Sequence, residues 1–105
     1  MDKLIKYQAG ICKTFSNPWR LFIIKMLCKK EKNATELAQA TGLSKPNLSQ
    51  HMAILVNKGV VLSRRQGKQV FYSLSDPKIN QACMLMQQVT INNIKNTGRI
   101  LDKIS

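Results

Sequence analysis

Residues 33–59 read Asn33-Ala34-Thr35-Glu36-Leu37-Ala38-Gln39-Ala40-Thr41-Gly42-Leu43-Ser44-Lys45-Pro46-Asn47-Leu48-Ser49-Gln50-His51-Met52-Ala53-Ile54-Leu55-Val56-Asn57-Lys58-Gly59. Asn33 with Glu36 three positions on is a capping box, which opens a short helix through about Ala40. Gly42 ends that helix, and Ser44 caps the next, over residues 45–58. Leu48, Met52, Leu55 and Val56 recur on one face of it, and Gly59 stops it. Two short helices joined by Thr41-Gly42-Leu43-Ser44 form a helix-turn-helix: Gly42 permits the tight turn, and Leu37 and Leu43 hold the helices together. The second helix presents Ser44, Lys45, Pro46, Asn47, Ser49 and Gln50 at its N-terminal end. That is the end which enters a DNA major groove, where short polar side chains reach base edges and free backbone N–H groups meet phosphate.

Downstream of Gly59 the hydrophobic period shortens. Residues 60–65 and 68–74 read as two strands around a Gln66-Gly67 turn. The tip, Arg64-Arg65-Gln66-Gly67-Lys68, is a basic wing whose Arg64, Arg65 and Lys68 are suited to phosphate or minor-groove contact. Ser75-Asp76-Pro77 caps a last helix, from residue 77 to about residue 96 or beyond, with Ile79, Ala82, Cys83, Met86, Val89 and Ile94 at helical spacing. Upstream, residues 29–32 are a polar connection. Residues 18–28 form a helix with Leu21, Ile24, Leu27 and Cys28 on its apolar face. Ser16-Asn17-Pro18 separates it from a first helix over residues 3–15, with Leu4, Ile11, Cys12 and Phe15 near one face. The expected architecture is mainly α with a small β-hairpin (α+β), in the order α-α-α-α-β-β-α. It forms a single winged helix-turn-helix domain over residues 1–105.

The composition agrees. The chain has 105 residues, 17 Lys+Arg against 5 Asp+Glu and a formal net charge of +12. Its 44% hydrophobic content excludes a disordered basic tail, which lacks apolar surface to bury. A domain of this size is marginal as a free-standing monomer. The acidic residues are Asp2, Glu31, Glu36, Asp76 and Asp102, so residues 37–75 contain none, and a helix-turn-helix with a wing accounts for that window. No apolar run approaches the ~18 residues of a membrane span, and the first residues carry no secretory signal pattern, so a cytoplasmic protein with no membrane partner is expected. There is no paired-carboxylate arrangement, no Gly-rich phosphate loop and no Cys–His pairing at motif spacing, so no enzyme is expected. The residues point to double-stranded DNA as partner. Two functions use such a surface: a sequence-specific transcriptional regulator, or a general nucleoid-associated, architectural protein without an effector.

The chain resembles the ArsR/SmtB family of small bacterial and archaeal winged-helix repressors. The resemblance runs from about Ile11 to Met86. It is carried by Ser16-Asn17-Pro18-Trp19-Arg20-Leu21, Glu36-Leu37-Ala38, Thr41-Gly42-Leu43-Ser44, Leu48-Ser49-Gln50-His51-Met52, Leu55, Gly59-Val60-Val61 and Arg64-Arg65-Gln66-Gly67-Lys68-Gln69-Val70-Phe71-Tyr72, in order and at family spacing. It implies a homodimer joined through the first and last helices, with both recognition helices facing one inverted-repeat operator. It also implies repression relieved by an effector. Ser49, Gln50 and His51 fall on the recognition helix by this resemblance; His51, the only histidine, reads as a structural or phosphate-facing residue. Arg20 has a family counterpart and reads as structural.

The family's metal sites are not carried over. The third helix, Glu36-Leu37-Ala38-Gln39-Ala40, has no cysteine, and residues 79–96 have no histidine, aspartate or glutamate. The family's thiol pair aligns near Lys25 and Ile91. Three cysteines remain, Cys12, Cys28 and Cys83, and they admit three readings: small buried hydrophobes, thiolates for As(III) or another thiophilic ion, or a redox-switched pair. In the second and third, the first helix of one protomer packs on the last helix of its mate and brings Cys12 toward Cys83.

Overall fold

The computed structural model describes residues 1–98; residues 99–105, including Asp102 and any further run of the last helix, lie outside the described residues. The elements are α1 (Lys3–Thr14), α2 (Pro18–Leu27), β1 (Lys32–Asn33), α3 (Ala34–Thr41), α4 (Lys45–Asn57), β2 (Val61–Gln66), β3 (Gln69–Leu74) and α5 (Lys78–Asn96). The expected order holds, with one strand added.

The helix starts are set by side chains that satisfy free backbone N–H groups. Asp2 Oδ1 accepts from Leu4 N at 2.9 Å to begin α1. Asn17 Oδ1 accepts from Trp19 N and Arg20 N at 2.9 and 3.2 Å, with Pro18 in the first turn of α2. The capping box of α3 is complete: Asn33 Oδ1 accepts from Glu36 N at 2.8 Å, and Glu36 Oε1 accepts from Asn33 N at 2.9 Å. Asp76 Oδ1 accepts from Lys78 N at 2.9 Å at the head of α5.

The added strand is β1. Lys32 and Asn33 pair antiparallel with Tyr72 and Phe71, giving a three-stranded sheet in the order β1-β3-β2. The polar connection expected over residues 29–32 thus ends in a strand, because two residues of Lys-Asn carry no alternation that marks one. The hairpin also turns one residue later than expected. Gln66 pairs with Gln69, so Gly67 and Lys68 make the turn, and Gly67 supplies the left-handed φ of 62°.

The core is one cluster: Ile23, Ile24 and Leu27 of α2, Leu37 of α3, Leu48, Met52 and Leu55 of α4, and Val60 and Val61 at the entry to β2. Each such side chain contributes ~1.5–3 kcal/mol by leaving water. The expected apolar face of α2 is rotated. Ile23 is fully buried, whereas Leu21, one step round the helix from the Ile24–Leu27 ridge, is 44% exposed. On α1, Ile11 and Phe15 pack against the core, but Leu4 and Cys12 are exposed. On α5, Ile79 and Cys83 pack inward and Ile94 is buried, while Leu85, Met86 and Val89 are 63, 65 and 60% exposed. The outer helices therefore carry apolar surface that no other described residue covers. No helix among the described residues is long and apolar enough to cross a membrane.

Candidate nucleic-acid interface

The turn between α3 and α4 is built by two residues. Gly42 takes a left-handed φ of 73°, which L side chains adopt only with strain. Thr41, the first residue of that turn, is buried. Its Oγ1 donates to Leu37 O at 2.7 Å and accepts from Leu43 N at 3.2 Å, so its hydroxyl bridges the end of α3 to the turn. Ser44 Oγ accepts from Asn47 N at 3.3 Å. With Leu48, Met52 and Leu55 directed into the core, the opposite side of α4 leaves Lys45, Asn47, Ser49 and Gln50 exposed beside the exposed Ser44. The helix cannot rotate these residues inward without expelling that ridge.

His51 stands apart from this polar row. It is half-buried, and its Nδ1 lies 3.4 Å from Arg20 Nη1, while Arg20 Nε donates to Thr14 O at 2.6 Å. Arg20 thus joins the end of α1 to the recognition helix, in the structural role its sequence position suggested. Burial, and then the Arg20 charge, push the His51 pKa below its usual value. A neutral imidazole offers Nδ1 as acceptor to the guanidinium.

At the wing, Arg65 and Lys68 are exposed. Arg64 is exposed too, but engaged. Its Nη2 donates to Glu31 Oε1 at 2.6 Å and its Nε to Glu31 Oε2 at 3.4 Å; its Nη1 donates to Gln66 Oε1 at 2.6 Å. Its guanidinium also lies 4.7 Å from the centre of the Phe71 ring. Between wing and recognition helix runs an open groove of about 230 Å³, lined by Asn33, Ala34, Thr35, Lys45, Leu48, Ser49, Lys68, Gln69 and Val70. Lys45 from α4 and Lys68 from the wing therefore border the same concavity. Asn33 adds to its helix-capping role a place on this groove, beside Thr35 and Gln69; Asn33 Nδ2 donates to Gln69 Oε1 at 3.3 Å and ties the start of α3 to the wing.

The cysteines divide. Cys12 is exposed on α1, while Cys28 and Cys83 are half-buried and pack against the core. Burial raises both inner thiol pKa values, and the charge of Cys83 raises that of Cys28 further. Among the described residues no group of three His, Cys, Asp or Glu side chains is assembled within the chain to hold a metal ion.

The model of the arsR family of bacterial regulatory proteins matches residues 17–63, from the cap of α2 into β2. The biofilm growth-associated repressor of Xylella fastidiosa is 38% identical over 81 residues, covering 77% of this chain and 71% of that protein. The probable mercury resistance operon repressor of Streptomyces lividans is 31% identical over 85 residues, covering 81% of this chain and 68% of that protein. Among solved structures, the homodimeric winged helix-turn-helix DNA-binding domain from Mycobacterium bovis superposes with a TM-score of 0.80 at 26% identity, over 89% of this chain and 86% of that one. With its helix-turn-helix, wing and core in the arrangement of these proteins, the chain belongs to the ArsR family and is a DNA-binding transcriptional regulator, not an enzyme.

Proposed function

We propose that the protein is a homodimeric repressor, the whole chain acting as one cytoplasmic DNA-binding unit, which holds an inverted-repeat operator and releases it on a signal. The observation that carries this reading is the shared groove: the exposed polar end of α4 and the basic tip of the wing border one acid-free concavity. Ser44, Lys45, Asn47, Ser49 and Gln50 face the major groove, and Arg65 and Lys68 meet the backbone beside it. His51 acts from behind, held by Arg20. The exposed apolar residues of α1 and α5 support a dimer through these helices, and the Mycobacterium bovis neighbour is homodimeric.

Two α4 helices then read half-sites about one DNA turn, ~34 Å, apart. Titration of labelled promoter DNA against random duplex tests this. The operator should be preferred ~10³-fold or more, and log affinity should fall steeply with log salt, by ~0.9 per phosphate contact. Equal affinity for random duplex would favour the architectural alternative.

For the signal, Cys28 and Cys83, two thiols packed against one core cluster, favour a thiophilic ion such as As(III). Their raised pKa values make them slow as thiolate nucleophiles toward oxidants, whereas a soft ion displaces the thiol protons on binding. The Streptomyces lividans relative, a probable mercury resistance operon repressor, supports a thiophilic signal. As(III) should release wild-type protein from DNA and fail to release Cys28→Ser or Cys83→Ser, and Cys12→Ser reports whether the partner protomer adds a third thiolate. Identical release of all four proteins would make the cysteines packing residues.

A further inference from the structure

The two adjacent wing arginines, indistinguishable in sequence, do different work. We propose that Arg64 is a positioning residue that pins the wing to β1, and that Arg65 alone of the pair contacts DNA phosphate. The inference rests on the DNA-binding reading above.

Strand geometry supplies the first argument. Successive residues of a strand face opposite sides of a sheet, so Arg64 and Arg65 diverge. Arg65 pairs with Val70 and shares its face with Val70 and Tyr72, which line the grooves beside α4. Arg64 pairs with Phe71, which pairs in turn with Asn33 on β1. Its side chain crosses that row over the Phe71 ring and ends on Glu31, the residue before β1. One guanidinium thereby ties β2 to the segment entering β1, across β3.

The second argument is electrostatic. Arg64 and Glu31 form the only ion pair among the described residues, with both carboxylate oxygens taken by the guanidinium fork and Gln66 taking a further donor. An approaching phosphate meets a neutral pair at Arg64 and a free cation at Arg65. Recruiting Arg64 would break these bonds and leave the Glu31 carboxylate unpaired beside a polyanion.

The slope of log affinity against log salt separates the two roles, because only a phosphate contact releases a counterion. With two copies per dimer, Arg65→Gln should flatten the slope by about 1.8. Arg64→Gln should weaken binding about two- to fivefold with the slope unchanged, and Arg64→Lys should match it, because lysine keeps the charge but not the fork. Backbone amide exchange in β1 and β3, read without DNA, should quicken in Arg64→Gln and in Glu31→Gln but not in Arg65→Gln. Arg64→Gln flattening the slope as Arg65→Gln does, Arg64→Lys binding like wild type, or Glu31→Gln tightening binding with a steeper slope would each overturn the pin. Wild-type protein that shows no operator preference and a flat slope would instead remove the DNA-binding reading, while the exchange measurement still reports whether Arg64 and Glu31 hold the wing.

Discussion

Leu85→Glu with Val89→Glu yields a folded monomer that has lost its operator, with affinity down on the order of 10³-fold to the level of non-specific binding. The two residues sit one helical turn apart on α5, 63 and 60% exposed, so the chain's own core does not depend on them. Glutamate is a good helix former, so α5 itself should persist. In the proposed dimer the same face is buried, and four uncompensated carboxylates there would cost more than the contacts they replace return. A single protomer retains one recognition helix and one wing, enough for the salt-sensitive attraction to any duplex but not for two half-sites in register. Sedimentation velocity beside anisotropy with operator DNA checks both halves of this expectation. A stable dimer that still binds would move the interface off α5.

Leu55→Ala is expected to be the most damaging single change to the fold. Leu55 is 0% exposed, on the inner side of α4 and within the core cluster. Truncating such a leucine costs about 2–5 kcal/mol, part lost transfer energy and part cavity, out of the ~5–15 kcal/mol that small domains possess. For a domain of this size that lowers the melting temperature by on the order of 10 °C or more, followed by circular dichroism at one fixed protein concentration because dimerisation is linked to unfolding. The loss reaches DNA affinity indirectly, since the cavity lies under the helix that carries Ser49 and Gln50. A melt within a degree of wild type would show that the core closes over the gap.

What the sequence made legible was whatever is written in local chemistry. The Asn33–Glu36 capping box, the left-handed Gly42, the Ser44 cap and the 48-52-55 ridge each depend on residues a few positions apart, and each stands as read. The features that escaped reading depend on distant segments. β1 exists because Tyr72 and Phe71 come alongside Lys32 and Asn33, and two residues hold no periodicity. The burial of Ile23 in place of Leu21 reflects which side of α2 meets α3, α4 and β3, which no single helix encodes. The wing showed the same divide. A basic tip was evident, but that Arg64 closes on Glu31, 33 residues away in the chain, followed only from the sheet.

The few carboxylates have a consequence for the molecule as a whole. Asp2, Glu36 and Asp76 each cap a helix and Glu31 holds Arg64, so every acid among the described residues is already occupied. Almost none of the excess positive charge is neutralised internally, and the folded chain repels itself. Ionic strength therefore acts in opposite senses on the protein's two tasks. Counterions that relax this self-repulsion and favour the compact state are the same ones that compete with the protein for DNA.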